Sequence, residues 1–147
     1  MVTLRRLVPA VALVLTLAVP SARSAEADAL DGGTKAAIQN VITRQLDALD
    51  RGDAKAAEAF AAPAIRDRFP EPAKFLDMVK TNYAALIHPK STQFVESAPS
   101  PEGALQKMTI VAADGTVWSA IYSFERFNGE WRITGCGLAK DETQQDI

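Results

Sequence analysis

The hydrophobic pattern divides the chain into a helical first half and a strand-like second half. Apolar residues recur at three- and four-residue spacing over residues 34–50 and 72–87, as on the buried face of an amphipathic helix. After residue 90 they alternate with polar residues, which is the period of a half-buried strand. Four strands are predicted, at about 92–97, 105–112, 117–126 and 130–138. Helices followed by an antiparallel meander predict an α+β fold, with N-terminal helices packed on a curved four-stranded antiparallel sheet.

Cap and breaker residues set the bounds of the shorter helices. Gly52 ends the first helix, and Asp53 caps a second, short helix over residues 54–61. A helical turn is predicted over 63–69. The last helix is predicted to end at His88, because a residue that precedes proline avoids helical geometry.

The hairpin turns decide which side of the sheet is covered. A two-residue turn at Asn128-Gly129 pairs Arg126 with Trp131. The preceding hairpin is predicted to have a three-residue turn with Gly115 left-handed, because only that register turns the apolar residues of the second strand inward. The covered face is then predicted to carry Trp118, Ala120, Tyr122, Phe124, Arg126, Trp131 and Ile133, with Met108, Ile110 and Ala112 beside them.

The opposite face of the sheet is predicted to be mixed rather than fully polar. Ile121 and Leu138 are placed on it among serine and threonine side chains, and Ile110 joins them in the alternative hairpin register. A face of this kind is more apolar than a fully hydrated surface needs to be. A homodimer through the outer sheet face is therefore predicted, and sedimentation measurements test that expectation.

The first 24 residues have the three-part layout of a secretory signal peptide. Arg5 and Arg6 precede an apolar stretch over residues 7–19, and small residues follow up to Ser24. That stretch is shorter than the about 20 residues that span a bilayer, so no stable membrane anchor is predicted after cleavage. A periplasmic or secreted protein is expected. Its parts are a flexible segment over 25–33, a single domain over 34–140 and a disordered acidic tail over 141–147.

Composition and charge narrow the functional classes. The chain has 147 residues, of which 48% are hydrophobic, enough for one domain with a buried core. Removing residues 1–24 leaves 13 basic and 18 acidic residues, so the mature chain is acidic and no nucleic-acid partner is predicted. One histidine, His88, and one cysteine, Cys136, are a poor zinc-binding set, so no metal or cofactor is predicted. Cys136 is interpreted as a small buried hydrophobic residue.

Several motifs of this chain resemble a known group of domains. The spacing of Trp118, Tyr122 and Arg126 precedes the sequence Asn-Gly-x-Trp-Arg-Ile over residues 128–133, and Gly135-Cys136 follows. Together with Ala62-Pro63, these motifs resemble an uncharacterised bacterial family of domains of unknown function within the nuclear transport factor two-like group. The resemblance covers about residues 37–138 and implies a cone-like fold. It implies no particular chemistry, because the wider group contains isomerase-like and cyclase-like enzymes as well as proteins that only bind or associate.

The covered face of the sheet supplies the candidate binding residues. Tyr83, Trp118, Tyr122 and Arg126 are predicted to line a small apolar pocket with polar tips, and Arg126 is predicted to stack on Trp131. No Asp or Glu is predicted on this face. The first hypothesis is therefore a module that binds a small molecule, and no catalytic residue is assigned.

Two other hypotheses stay open. One is a cofactor-free isomerase or cyclase that uses His88 or a helix aspartate, such as Asp47 or Asp77, as its base. The other is a structural, partner-binding subunit whose aromatic side chains fill the core. The run Arg66-Asp67-Arg68 is interpreted as a solvated turn, with anion binding as the alternative.

Overall fold

The α+β fold predicted from the sequence is confirmed. The computed structural model describes residues 29–144, so the predicted signal peptide over 1–24 lies outside the described residues. Within the described part, helices precede a meander whose four antiparallel strands lie in the order β1-β2-β3-β4. The elements are α1 (Gly32–Asp50), α2 (Ala54–Ala59), α3 (Pro63–Arg68), α4 (Pro72–Asn82), a 3₁₀ turn (Ala84–Leu86), β1 (Ser91–Pro99), β2 (Ala104–Val111), β3 (Val117–Phe127), β4 (Glu130–Lys140) and a last 3₁₀ turn (Glu142–Gln144).

Aspartate caps start the first two helices. The carboxylate of Asp31 accepts the backbone N–H of Thr34 at 2.9 Å, so α1 begins at Gly32 and the predicted flexible segment is shorter at this end. The carboxylate of Asp53 accepts the N–H of Ala56 at 3.0 Å, as the sequence predicts. None of the helices within residues 29–144 has the length and hydropathy needed to cross a membrane.

The last helix ends earlier than predicted. α4 stops at Asn82, and Tyr83 leaves helical geometry with a φ of −132°. A 3₁₀ turn then continues the chain, in which the N–H of Leu86 donates to the carbonyl of Tyr83 at 2.9 Å. Leu86 stays buried in this tighter turn. An apolar pattern spaced by three and four residues fits either kind of helix, so it did not reveal the change.

The predicted hairpin register is confirmed. Gly115 has a φ of +88° in a three-residue turn, and the apolar residues of β2 that precede it are buried. At the last hairpin, Asn128 and Gly129 both have positive φ, as a two-residue turn of this type requires. Arg126 lies opposite Trp131 there, and its guanidinium carbon is 4.8 Å from the centre of the indole.

The second half of β4 faces the other way from the prediction. The β3–β4 register shifts between Ser123 and Phe124, which leaves Thr134 as an extra residue in β4. Beyond this bulge, Cys136 lies opposite Tyr122 and Leu138 lies opposite Ala120, so both belong to the covered face. A one-residue bulge reverses every later side chain, and the placement of Leu138 on the outer face was therefore wrong.

The outer face of the sheet has fewer apolar side chains than predicted. Ile110 is fully buried and Leu138 packs against the core, whereas Ile121 remains 49% exposed. Val95, which lies at a register shift in β1, is 54% exposed. The homodimer stays a prediction, and the exposed side chain of Ile121 is the apolar group on this face that supports it.

The covered face contains one buried polar side chain that the sequence pattern did not single out. Gln106 of β2 is fully buried, and its amide group makes four hydrogen bonds. Its Nε2 donates to the carbonyls of Glu96 and Lys107, and its Oε1 accepts from Ser97 Oγ and Gln39 Nε2. These bonds join β1, β2 and α1, so Gln106 has its hydrogen-bonding capacity used inside the fold.

Candidate functional site

A cavity of about 290 Å³ lies between the short helices and the β3–β4 side of the sheet, partly open to solvent. α3 and α4 form one wall, and the bulged part of β4 forms the other. Most of the lining side chains are apolar, as in ligand-binding pockets generally. The lining residues are Gln45, Ala61, Ile65, Arg68, Phe69, Phe75, Met78, Val79, Tyr83, Leu86, Tyr122, Ile133, Thr134, Gly135 and Cys136.

Backbone hydrogen bonds fix the helical wall against the sheet. The N–H of Ile133 donates to the carbonyl of Phe60 at 2.9 Å, and the N–H of Ala62 donates to the carbonyl of Ile133 at 2.8 Å. The segment before α3 is thereby joined to β4 by a parallel bridge. Phe69 and Phe75 meet edge to face with ring centres 6.0 Å apart, a favourable geometry for aromatic side chains. The two walls are therefore held at a defined separation.

The bulge at Thr134 shapes the sheet wall. It brings four successive positions of β4, from Ile133 to Cys136, to the cavity lining. The hydroxyl of Thr134 donates to Ser123 Oγ at 2.9 Å, across the two strands where the register shifts. Bulges bend a strand and change the direction of its side chains, which explains why an alternating strand supplies consecutive lining residues.

Tyr122 is a buried phenol whose hydroxyl makes no hydrogen bond. The side chain is fully buried in the cavity wall. Burial raises its pKa well above the ordinary value, and the adjacent Cys136 raises it further. The Cys136 thiol lies close enough to shift the pKa of the phenol, but its alignment with the hydroxyl falls outside hydrogen-bonding geometry. Tyr122 therefore stays a neutral hydrogen-bond donor at any physiological pH, with its donor unused.

Cys136 is a thiol rather than a thiolate. Burial raises its pKa to about 12, and the neighbouring Tyr122 hydroxyl offsets only part of that rise. The thiolate is the nucleophilic form, so a thiol with this pKa is a poor nucleophile at neutral pH. The interpretation of Cys136 as a small hydrophobic residue agrees with this environment, although it lies at the cavity rather than in the closed core.

The other polar lining residues differ in their burial. Gln45 is buried, and its Nε2 donates to the carbonyl of Ala57 at 3.1 Å, which ties α1 to α2 behind the cavity. Arg68 is exposed in the last turn of α3. The cavity therefore has a mainly apolar lining. Its charged group is the Arg68 guanidinium near solvent, and its neutral polar side chains include Gln45, Tyr83, Tyr122 and Thr134.

The structure separates the four predicted binding residues into two pairs. Tyr83 and Tyr122 line the cavity. Trp118 and Arg126 are not among its lining residues. Trp118 packs against the core near the other end of β3, where its strand neighbours are Ile110 and Lys140. Arg126 is exposed and stacked on Trp131. Sharing a sheet face does not suffice, because the cavity occupies only part of that face.

Sequence reasoning did not assign Cys136 and Arg68 to this site. Cys136 was missed because a bulge at an ordinary threonine leaves no mark in the alternating pattern, although the glycines that flank Cys136 indicate an irregular strand. Arg68 was assigned to a solvated turn, and it is indeed exposed, but it also borders the cavity. Its position depends on how α3 lies against β4, which one helical turn of sequence does not specify.

The groups considered as bases lie away from the cavity. His88 has an exposed side chain, and its backbone N–H donates to the carboxylate of Asp50 at 2.9 Å. Asp47 and Asp77 are exposed, and neither they nor any other acidic residue is among the lining residues. Within residues 29–144 there is no group of three potential metal-ligating side chains of the His, Cys, Asp or Glu type.

Comparison with known proteins gives a family and distant structural matches. A family model described as "Domain of unknown function (DUF4864)" matches residues 32–146. No curated protein matches the chain. The solved structure of Aln2 from a Streptomyces species is similar at 11% sequence identity, covering 77% of this chain and 94% of that chain with a TM-score of 0.48. Similarity at that level says nothing about function.

Proposed function

The chain belongs to the DUF4864 family, and we propose that it is an exported binding module that holds a small, largely apolar molecule in the cavity. The observation that carries this proposal is the mainly apolar cavity itself, whose wall also contains the unpaired hydroxyl of Tyr122. A buried donor without a partner costs about 1–3 kcal/mol of stability. A ligand carbonyl or ether oxygen that accepts from Tyr122 removes that cost, but the hydroxyl has almost no accessible surface, so neighbouring side chains of the wall must move for the oxygen to reach it.

The size of the cavity sets the size of the ligand. Its volume of about 290 Å³ lies near the lower end of the range of about 300–1,000 Å³ for small-molecule sites. A compound with two or three aromatic rings, or a medium-chain acyl compound, belongs to the size class that such a site takes. The cavity is much larger than a site for one or two waters, which supports binding over the alternative of a filled structural subunit.

The enzyme alternative has less support than binding. An isomerase or cyclase of the kind considered needs a base within hydrogen-bonding reach of its substrate. The lining residues include no Asp, Glu or His, and the Cys136 pKa of about 12 keeps the thiol from serving as a base near neutral pH. The Tyr122 phenol is a donor that would stabilise a bound oxygen whether or not any reaction follows. We therefore propose binding without turnover.

The proposal includes a cone-like arrangement of the nuclear transport factor two-like kind and an exported location. The four-stranded antiparallel sheet with helices over one face supports the first, because the cavity lies between those two layers. The arginines and apolar stretch at the start of the chain support the second. Native mass spectrometry of protein isolated from its own compartment tests both cleavage and a carried molecule, since each changes the measured mass.

Binding can be tested with N-phenyl-1-naphthylamine, a neutral dye with three aromatic rings that fluoresces strongly in apolar surroundings. We expect one dye molecule to bind per chain. In Met78→Trp, the larger side chain fills the cavity from α4, and we expect the affinity to fall about tenfold or more, because the ligand loses the space for one ring. Fluorescence titration measures the affinity, and thermal unfolding by circular dichroism confirms that the variant is folded.

Lys80→Trp is the matched control. It adds the same side chain on α4 at an exposed position that does not line the cavity. We expect it to bind the dye as the unmodified protein does. Equal affinity in the unmodified protein, Met78→Trp and Lys80→Trp would show that the dye binds elsewhere, and it would overturn the proposed function.

A further inference from the structure

Charge is unevenly distributed around the cavity. Among the described residues that line it, Arg68 alone is charged. Within residues 29–144, the ion pairs join His88 to Asp50 and Arg132 to Glu130, so Arg68 has no acidic partner in this part of the chain. An unpaired cation at the opening of an apolar site gives that site a positive potential. Such a site favours an anionic ligand over a neutral or cationic one.

A structural role explains only part of the position of Arg68. Cations are favoured in the last turn of a helix because they interact with the helix dipole, and Arg66 and Arg68 both lie in the last turn of α3. Arg66 serves this role without touching the cavity, whereas Arg68 lines it. The dipole therefore accounts for two basic residues in this turn, but not for the placement of one of them at the cavity.

From this arrangement we infer that the ligand of the proposed binding function is a small apolar carboxylic acid. The Arg68 guanidinium pairs with its carboxylate near solvent, because guanidinium offers parallel N–H donors that match the two carboxylate oxygens. The apolar body lies among side chains such as Phe69, Phe75 and Met78. This orientation keeps the charge hydrated at the rim and buries the carbon skeleton.

Two matched ligands separate the role of charge from the role of shape. 2-Naphthoate and 2-acetonaphthone share the same two rings and the same number of non-hydrogen atoms, but only the first carries a carboxylate. Each is titrated against bound N-phenyl-1-naphthylamine, and the ratio of their affinities is measured. We expect the unmodified protein to prefer 2-naphthoate by about tenfold, the size expected of a hydrogen-bonded pair with charge on both sides. Salt at about 0.5 M is expected to reduce the preference, because the pair is near solvent.

Arg68→Gln tests the assigned residue, with Arg66→Gln as its control. Both substitutions remove one positive charge from the same helical turn, and both positions are exposed, so both variants are expected to fold. We expect the preference for 2-naphthoate to disappear in Arg68→Gln and to persist in Arg66→Gln. Both variants lose one positive charge and its interaction with the helix dipole, so these two effects cancel in the comparison.

The outcomes distinguish this inference from the proposed function on which it rests. Displacement of the dye by both ligands with equal affinity, or an unchanged preference in Arg68→Gln, would overturn the carboxylate assignment and leave cavity binding in place. An equal loss of preference in both arginine variants would assign the effect to general charge and would also overturn it. Failure of the dye and of both naphthalene compounds to bind would overturn the two together.

Discussion

Two buried polar side chains lie opposite each other on the covered face and differ in their hydrogen bonding. Gln106 of β2 pairs in register with Tyr122 of β3, and both are fully buried. The amide of Gln106 makes four hydrogen bonds to other parts of the chain. The hydroxyl of Tyr122 makes none. Neighbouring positions on one sheet therefore differ completely in how their polar atoms are satisfied.

The difference separates a residue that builds the fold from one that is available to a ligand. Buried polar groups in proteins are nearly always hydrogen-bonded, so an exception requires a reason. Tyr122 lies at the cavity, whereas Gln106 is not among the cavity's lining residues. Proteins tend to violate the rules of a well-satisfied interior at their functional sites. The buried indole Nε1 of Trp131 also has no partner and lies outside the cavity lining, so the missing bond at Tyr122 supports a ligand-binding role only together with its place at the cavity. Three substitutions probe the contrast.

Gln106→Leu is expected to have the largest effect. Leucine has a similar size but no polar atoms, so the carbonyls of Glu96 and Lys107 lose their donor inside the protein. We expect the free energy of unfolding to fall by about 3 kcal/mol, as for several buried polar groups left without partners. Urea denaturation measures it, with Gln93→Leu on the exposed side of β1 as the control. A loss below about 1 kcal/mol would show that this network contributes little to the fold.

Cys136→Ala is expected to reduce the sensitivity of the protein to alkaline pH. The thiol has its usual pKa near 9.0 in the unfolded chain and about 12 in the folded one, so above pH 9 only the unfolded state loses the proton. The stabilising contribution is complete below pH 9 and declines as pH rises towards 12. At about pH 10 the decline from this group is about 1.4 kcal/mol.

The pH experiment compares two proteins at two values. Urea denaturation at about pH 7.5 and about pH 10 gives the loss of stability for the unmodified chain and for Cys136→Ala. The variant should lose less, while the raised pKa of Tyr122 continues to contribute in both proteins. The same dependence on pH in both would mean that the Cys136 thiol is not shielded from water in the folded state.

Tyr122→Phe is expected to have the smallest effect on stability and to complete the contrast with Gln106. The substitution removes a hydroxyl that has no partner, so the free energy of unfolding should stay equal or rise by up to about 1 kcal/mol. The affinity for 2-acetonaphthone should fall, because its carbonyl loses a donor. Tyr83→Phe, at the other lining tyrosine, controls for the change in polarity. A loss of more than about 1 kcal/mol would mean that the hydroxyl has a partner within the fold.

The sheet was largely predictable because its determinants are local. A glycine at position 115 that can adopt positive φ, and an Asn-Gly pair at 128–129, fix two hairpin registers, and alternation then assigns the covered face. The same logic failed after Thr134, where a bulge turned Leu138 to the covered face instead of the predicted outer face. A threonine is an ordinary strand residue, so this irregularity arises from the fit between β4 and the rest of the molecule.

The candidate site was only partly predictable because it depends on contacts between distant segments. Tyr83 and Tyr122 were identified as apolar side chains with polar tips, which is a property of the residues themselves. Trp118 and Arg126 share those properties but lie outside the cavity lining, since the helices cover the sheet unevenly. Arg68 borders the cavity because of the position of α3 against β4, and no sequence pattern within α3 predicts that position.

The bridge between the segment before α3 and β4 has a consequence for motion at the cavity. β4 is the edge strand of the sheet, and Ile133 uses both its backbone groups to bind Phe60 and Ala62. Separating α3 from the sheet breaks both bonds and exposes the two amide protons to solvent deuterium. Their exchange rates therefore report how often the two cavity walls separate. A bound ligand that contacts both walls slows the exchange at both amides and leaves the exchange in distant strands unchanged.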